Sequence, residues 1–252
     1  MLKKTLYDLW DNLPRLVLLN LGFYASAAAP LLLPGALDFF PPLAWAALVL
    51  GVLWCCVYLA AAARCVRNIS DYGIFGFGDF FRGLKAALPS GLVLGILVII
   101  ALFIITVVIP FYGSWESGGV FIAAALFWSV AAGIIAFQFY PASGVRLDRK
   151  ALPAIKRCFF FFLDNTPFCV FCLVFAALLL PLSVLAGFLV PGPAGMLLFH
   201  DEALRLRLLK YDWLEENPSA KRSRIPWDAL LIDEREKTGH RTLKGFIFPW
   251  KE

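Results

Sequence analysis

Charged residues are scarce in this chain. Only 16% of its 252 residues are Asp, Glu, Lys or Arg, whereas a typical soluble domain has about 25%. Three long stretches hold nearly no charge: 16–63 has only Asp38, 86–145 has only Glu116, and 166–199 has none. Because 61% of the residues are hydrophobic, a soluble fold could not hide them all, and the composition excludes an ordinary soluble domain.

Histidine and the common catalytic motifs are also scarce or missing. The two histidines, His200 and His240, are not grouped near the CxxC pair Cys169 and Cys172, and zinc would need about four ligands. The six cysteines are therefore interpreted as small apolar packing residues. The chain has no Gly-rich phosphate loop and no HExxH motif. We expect no cofactor, no metal and no enzymatic activity.

The uncharged stretches are long enough to cross a bilayer as helices. A transmembrane helix needs about 20 mostly apolar residues, and continuous apolar runs argue against a β-barrel. The sequence predicts an all-α, polytopic transmembrane bundle (residues 1–199), followed by a C-terminal helix and an aromatic-rich tail (200–252). The five predicted spans are Leu16–Leu37, Pro42–Ala63, Ser90–Phe111, Gly118–Ala142 and Pro167–Val190.

Basic residues are distributed unevenly among the loops. Before residue 200 there are twelve, all in the N-terminal segment or in the loops after the second and fourth spans. The short loops 38–41 and 112–117 have none. The positive-inside rule then predicts a cytoplasmic N-terminus in a bacterial inner membrane. Their place beside the spans indicates lipid, not nucleic acid, as the partner of these basic residues.

Five crossings conflict with the charges of the tail. They would put the tail outside, yet Arg205, Arg207 and Lys210 follow the last apolar stretch at once, which is an inside signature. The stretch 167–199 is too short for two full crossings and is interrupted by Pro181 and by Pro191-Gly192-Pro193. We expect a broken pair of helices that enters and returns, with a cytoplasmic tail.

Two basic loops are predicted to form amphipathic helices on the membrane surface. In the first, apolar residues recur at helical spacing from Phe77 to Leu88, and the helix should end at Pro89. The second should run from Arg149 to Leu163, ahead of Asn165-Thr166-Pro167. Helix packing is predicted at three small-xxx-small pairs: Gly22/Ser26, Ala47/Gly51 and Gly91/Gly95.

The segment Gly78-Asp79-Phe80-Phe81-Arg82-Gly83-Leu84-Lys85, with the Pro-Ser step and the span after it, resembles the YesL-like bacterial integral membrane proteins. The turn Asn165-Thr166-Pro167 and the late Pro-Gly step before a helix ending Lys210-Tyr211 are also similar to that family. The resemblance covers roughly residues 1–215 and its motifs are structural. It implies an association with carbohydrate uptake systems, and it supplies no catalytic or binding residues.

The candidate functional residues fall into three groups. Asn20, Ser129 and Gln138 are uncharged polar residues in the spans; they either line a polar path or form hydrogen bonds between helices. His200, Asp201 and Glu202 could form an acid–base cluster, but helix capping and solvation are the preferred interpretation. Trp227, Phe246, Phe248 and Trp250 are tail aromatics that should dock on lipid, on the protein itself or on a partner.

These features favour a non-enzymatic accessory or scaffold protein, which the resemblance would link to a membrane transport complex for carbohydrate. The alternative is a transporter or channel for a small neutral solute, lined by Asn20, Ser129 and Gln138. Proton coupling is disfavoured because the predicted spans have almost no ionisable residue. A membrane enzyme is the third possibility.

Overall fold

The structure is a computed structural model, and it describes residues 1–37, 39–115, 118–147, 150–187, 189–219 and 225–238. These residues form helices and connecting turns and contain no β-strand. Five helical segments are long and apolar enough to cross a membrane: Leu13–Ala36, Pro41–Ser70, Gly78–Gly113, Gly119–Arg146 and Thr166–Leu185. Each overlaps one of the five spans predicted from the sequence, although the third begins at Gly78 instead of Ser90 and the second ends at Ser70 instead of Ala63. The all-α bundle is confirmed.

The first three helices set the frame of the bundle. Helix α1 is Leu2–Asp11, α2 is Leu13–Ala36 and α3 is Pro41–Ser70. Pro14 and Pro41 lie in the first turns of α2 and α3, where a missing backbone N–H costs nothing. Helix α3 is central, because it contacts α1, α2, α4, α7 and α10.

Helix α4, Phe77–Phe103, corrects one predicted boundary. The amphipathic segment and the third span form one continuous helix through Pro89, although a proline inside a helix removes one hydrogen bond. Arg64 Nη2 donates to the carbonyl of Ala86, 2.9 Å away, and so supplies a donor close to the proline. The span continues through a π-helical turn, Ile104–Val108, into α5, Ile109–Gly113.

The fourth span consists of two helices. Helix α6, Gly119–Phe137, ends at a two-residue turn, and α7, Tyr140–Arg146, continues beyond it. Helix α8, Ala151–Asp164, matches the second predicted amphipathic segment. Asn165 separates α8 from α9, Thr166–Leu185. Its side chain donates to Phe161 O, 3.2 Å away, and forms no capping hydrogen bond with α9.

Helices α9 and α10, Gly192–Glu216, form a hairpin. At one end Ser183 Oγ accepts from Gly192 N–H, 2.8 Å away, and at the other Tyr211 donates to Asp164 Oδ2 at 2.6 Å. Because α10 turns back beside α9, its charged half lies against the C-terminal end of α3. The chain therefore reverses after α9, and the position of this hairpin relative to the membrane stays a prediction. The tail forms two short helices, α11, Trp227–Leu230, and α12, Ile232–Thr238.

Two of the glycines predicted to mediate helix packing lie at close contacts between helices. A Cβ on Gly91 of α4 would come within 2.4 Å of Val57 Cα in α3, and one on Gly51 within 2.5 Å of Pro30 Cβ in α2. Only hydrogen fits at these distances. The absent side chains let the backbones of α2, α3 and α4 approach each other closely.

Candidate functional site

The ionisable residues meet at one end of the bundle, at a cluster that we call the charged cap. It joins α1, the C-terminal end of α3, α7, α10 and α12. Its members are Lys4, Asp8, Ser70, Asp71, Tyr72, Arg146, Asp201, Glu202, Arg205 and Glu234. The N-terminal helix and the segments after the second and fourth spans therefore lie at the same end, as their shared basic character predicted.

Arg146 and Asp201 form the most buried ion pair of the cap. Arg146 Nε donates to Asp201 Oδ1 at 2.8 Å, and Nη2 donates to Oδ2. The same guanidinium donates to Asp71 Oδ1 at 3.1 Å and to Ser70 Oγ at 2.9 Å. The side chains of Arg146 and Asp201 are 9% and 3% exposed. A planar guanidinium that holds two carboxylates links α3, α7 and α10.

Lys4 forms ion pairs with two carboxylates at once. Its Nζ lies 2.5 Å from both Asp8 Oδ2 and Glu202 Oε1, and the two carboxyl groups contact each other. One cation cannot balance two buried acids. Burial and the neighbouring Asp8 therefore raise the pKa of Glu202 above its ordinary value, although Lys4 opposes that shift. Glu202 is therefore expected to bind a proton more readily than an exposed glutamate.

The carbonyl end of α3 is a second focus of the cap. Ser70 O accepts from Lys4 Nζ at 2.9 Å and from Arg205 Nη1 at 2.5 Å. The last carbonyls of a helix have no partner within the helix and carry partial negative charge. Two cations from α1 and α10 therefore stabilise the end of the central helix.

The tail is attached to the cap through Glu234 of α12. Its carboxylate accepts from Arg205 Nη2 and from the hydroxyl of Tyr72, the latter at 2.6 Å. Tyr72 has a positive φ of 61°, and the ring lies 4.4 Å from Lys4 Nζ. Burial and the hydrogen bond to Glu234 raise the pKa of Tyr72, so this phenol remains a donor and holds α12 against the bundle.

Asn20, a predicted span residue, lies at the turn between α9 and α10. Its Nδ2 donates to Leu189 O at 2.8 Å and to Pro191 O at 3.1 Å, and its Oδ1 accepts from Ala194 N–H at 2.8 Å. The side chain is fully buried. Gly192 follows with φ +56°, and a Cβ there would lie 2.3 Å from Asn20 Nδ2. The amide therefore organises the turn that reverses the chain.

Gln138 joins α6, α9 and α10. Its Nε2 donates to Ile135 O and to Cys169 O, each at 2.8 Å, and its Oε1 lies 3.1 Å from His200 Nε2. The other ring nitrogen of His200 lies 2.7 Å from Met196 O. Burial lowers the pKa of His200 to about 4. The ring is then neutral near pH 7 and donates to only one of the two oxygens.

The third predicted residue, Ser129, is separate from the other two. Its hydroxyl donates to Ala125 O in its own helix at 2.8 Å, and the residue is exposed on the outside of α6. Asn20 bonds to the first turn of α10 and the residues before it, whereas Gln138 bonds to Cys169 and His200, and the two side chains share no hydrogen bond. The structure thus places the three residues apart, and for Asn20 and Gln138 it shows hydrogen bonds between helices. A path lined by all three stays a prediction.

The remaining predicted residues have two outcomes. Asp201 and Glu202 are 2% and 4% exposed, so the interpretation as solvated capping residues was wrong: they are the acids of a buried ion-pair cluster. Trp227 begins α11 and is half-buried. Phe246, Phe248 and Trp250 lie outside the described residues. Within the described ranges, no group of His, Cys, Asp or Glu is placed to hold a metal ion.

Sequence reasoning missed most of the cap because its members are far apart in the chain. Lys4 and Glu202 are 198 positions apart, and Arg146 and Asp201 are 55 apart. One feature of the sequence pointed to the cap. Asp201 and Glu202 lie just after a long apolar run, and acids that become buried there need cationic partners. The sequence does not indicate which of the twelve basic residues supply them.

The five long apolar helices define the molecule as a multi-pass helical membrane protein. Searches of family models, curated proteins and solved structures give no match. The resemblance to the YesL-like proteins therefore stays a prediction.

Proposed function

We propose that this protein is an accessory or scaffold protein of the bacterial inner membrane, with its charged cap and tail on the cytoplasmic side. One observation carries the proposal: α12 is fixed to the membrane bundle by Arg205 and Tyr72 through Glu234. A tail held at a set position presents the same surface to a partner at all times. Partner docking then loses little conformational entropy on binding.

The chemistry of the interior supports a structural role. The buried acids Asp201 and Glu202 are in ion pairs with Arg146 and Lys4. The amides of Asn20 and Gln138 are used between helices. A transporter of a neutral solute would instead need polar groups turned toward a shared path. The predicted link to carbohydrate uptake adds a partner class, namely a subunit of a membrane transport complex.

The proposal is tested by affinity purification of the full chain from bacterial membranes in a mild detergent. We expect a partner in a fixed ratio to this protein. Glu234→Gln together with Tyr72→Phe should release α12 and lower the yield of partner, because both contacts of that carboxylate are weakened. Asp212→Asn, an exposed acid on α10, is the matched control and should retain the partner.

Two outcomes would overturn the proposal. One is purification of the protein alone from membranes under conditions in which known membrane complexes stay intact. The other is solute flux in proteoliposomes that Gln138→Leu abolishes and Ser129→Leu leaves unchanged, since that would indicate a transport path beside Gln138.

A further inference from the structure

A cleft of about 430 Å³ opens on the side of the bundle between α2, α3 and the start of α4. This volume lies within the range of roughly 300–1,000 Å³ that is usual for small-molecule sites. One wall is α2 from Arg15 to Ser26, and the other combines Trp54 and Tyr58 of α3 with Phe80, Phe81 and Leu84 of α4. The candidate residues discussed above do not line this cleft.

The walls of the cleft are apolar over most of their length. The hydroxyl of Tyr58 is turned away to donate to Leu19 O at 2.9 Å, and its ring packs on Phe80 with the ring centroids 5.0 Å apart. Gly22 leaves room for that arrangement, since a Cβ there would lie 2.3 Å from the Tyr58 oxygen. The cleft therefore suits an apolar chain held against aromatic rings.

Arg15 is the one charged residue among those that line the cleft. Its Nη1 donates to Asn12 Oδ1 at 2.8 Å. In the part of the chain that the structure describes, no carboxylate lies within ion-pair distance of Arg15, whereas Lys4, Arg146 and Arg205 all have acidic partners. Arg15 also lies in the first turn of α2, where the helix dipole favours an anion over a cation.

The cation lies at the end of the cleft that is nearest the charged cap. Eleven positions separate Arg15 from Ser26, a distance of about 16 Å along α2 at roughly 1.5 Å per residue. At the rim, Leu18 and Phe81 are 46% and 66% exposed, so the cleft opens sideways toward the surroundings of the spans. The arrangement fits an amphiphile with an anionic head at Arg15 and its chain running away from the cap.

We propose that this cleft is a binding site for one anionic phospholipid. Arg15 donates to the phosphate oxygens, for which a guanidinium has a matching geometry. The acyl chain lies between α2 and α3 against Trp54 and Tyr58. The membrane itself supplies this ligand, and the lipid fills the space that α2 and the start of α4 leave open beside α3.

Trp54 provides a direct probe. Full-length protein, freed of lipid in a mild non-ionic detergent, is titrated with phosphatidylglycerol or phosphatidylcholine that carries brominated acyl chains, which quench tryptophan fluorescence on contact. Trp54→Phe identifies the fraction of quenching that comes from the cleft. We expect that fraction to saturate at lower concentrations of phosphatidylglycerol than of phosphatidylcholine.

Two variants separate the head site from the chain site. Arg15→Gln should weaken phosphatidylglycerol binding about fivefold, the effect of roughly one cation at a membrane surface. It should weaken phosphatidylcholine binding less, because the choline ammonium already offsets the charge of that lipid's phosphate. Arg82→Gln is the matched control, because Arg82 is 82% exposed and pairs with Asp79 instead of lining the cleft. Ser26→Leu should fill the cleft and abolish quenching of Trp54, whereas Ser129→Leu, the same change on the outside of α6, should not.

Four results would overturn the proposal. The first is equal affinity for the two lipids in the unchanged protein, and the second is an equal effect of Arg15→Gln and Arg82→Gln. The third is Trp54 quenching that persists in Ser26→Leu while thermal unfolding shows that variant to be folded. Tighter binding of a brominated free fatty acid than of phosphatidylglycerol would also reject a phospholipid in favour of a single-chain amphiphile.

Discussion

The two halves of the bundle are held together in different ways. In the second span, α3, 44% of the most apolar window is buried inside the protein, whereas the third and fourth spans bury only 6% of theirs. Near the charged cap, polar side chains form hydrogen bonds and ion pairs with specific partners. Away from it, large residues such as Phe121 and Trp128 are 81% and 70% exposed.

This difference shows in which region of the bundle particular residues are required. Around α3 the backbones touch at Gly91 and Gly51, and buried polar groups such as the amide of Asn20 have particular partners. Along the outer faces of α4 and α6, many apolar side chains are exposed outside the bundle, so any apolar residue of suitable length should be tolerated there. Substitutions should therefore have large effects in the first region and small ones in the second.

The largest effect is expected from removal of Arg146. Arg146→Met leaves Asp201 buried without its cation, and such a loss costs about 3–5 kcal/mol of unfolding free energy. The midpoint of thermal unfolding in detergent should fall steeply, with a much smaller fall for Arg82→Met, whose arginine is exposed. If the two variants unfolded together, the cap would not be the stabilising region.

Asn20→Leu should rank second. The change leaves Ala194 N–H and the carbonyl of Leu189 without their amide partner inside the protein, and each buried unsatisfied group costs about 1–3 kcal/mol. Ser129→Leu removes a hydroxyl that bonds only within its own exposed helix and should change the free energy of unfolding by less than about 0.5 kcal/mol. Chemical unfolding in mixed micelles measures both. Equal losses of unfolding free energy in the two variants would contradict the difference between the two regions.

Gly91→Ala tests the close approach of α3 and α4. The new methyl group would overlap Val57 Cα at 2.4 Å, and overpacking of this kind costs about 1–3 kcal/mol. Gly133→Ala on α6 is the matched control, because its Cβ would meet nothing nearer than 3.9 Å and alanine favours helix. We expect destabilisation in the first variant and unchanged or increased stability in the second, measured by thermal unfolding.

The smallest expected effect is a pH dependence from Glu202. Its pKa is raised in the folded protein, so the folded state binds the proton more tightly than the unfolded state. The contribution to stability is complete below the ordinary pKa of Glu and is lost as the pH rises through the folded value.

Burial raises the pKa of Glu202 to about 8, so between about pH 7 and pH 8 the unfolding free energy should fall by at most about 1.4 kcal/mol, the limit for one proton over one pH unit. Glu202→Gln should reduce this slope, whereas Asp212→Asn should leave it in place. A slope that Glu202→Gln does not alter would show that the carboxylate is held as an ion by Lys4 at all these pH values.

The spans could be predicted because hydrophobic length is a local property. All five were located within a few residues at most ends, and the turn at Asn165 was found from its Asn-Thr-Pro pattern. The exception is the third span, which begins at Gly78 instead of Ser90. Pro89 was taken as a boundary, but Arg64 of a neighbouring helix supplies a donor beside it, and no local pattern reports that contact.

The candidate site was less accessible to sequence reasoning. Asn20 and Gln138 were correctly singled out as polar residues in apolar spans, and hydrogen bonding between helices was one of the two stated alternatives. The cap was missed, since Asp201 and Glu202 resemble ordinary residues at the solvated end of a helix. Their burial depends on α1 and α7 covering them.

By itself, the sequence determined the number of spans, their helical form and the shared end of the basic loops, because apolar length and charge are properties of short segments. Only the tertiary structure decided which acid meets which base, where α10 reverses beside α9, and that a cleft with Arg15 remains open beside α3. These features depend on contacts between residues far apart in the chain, and the energy of each contact exists only once the helices have packed.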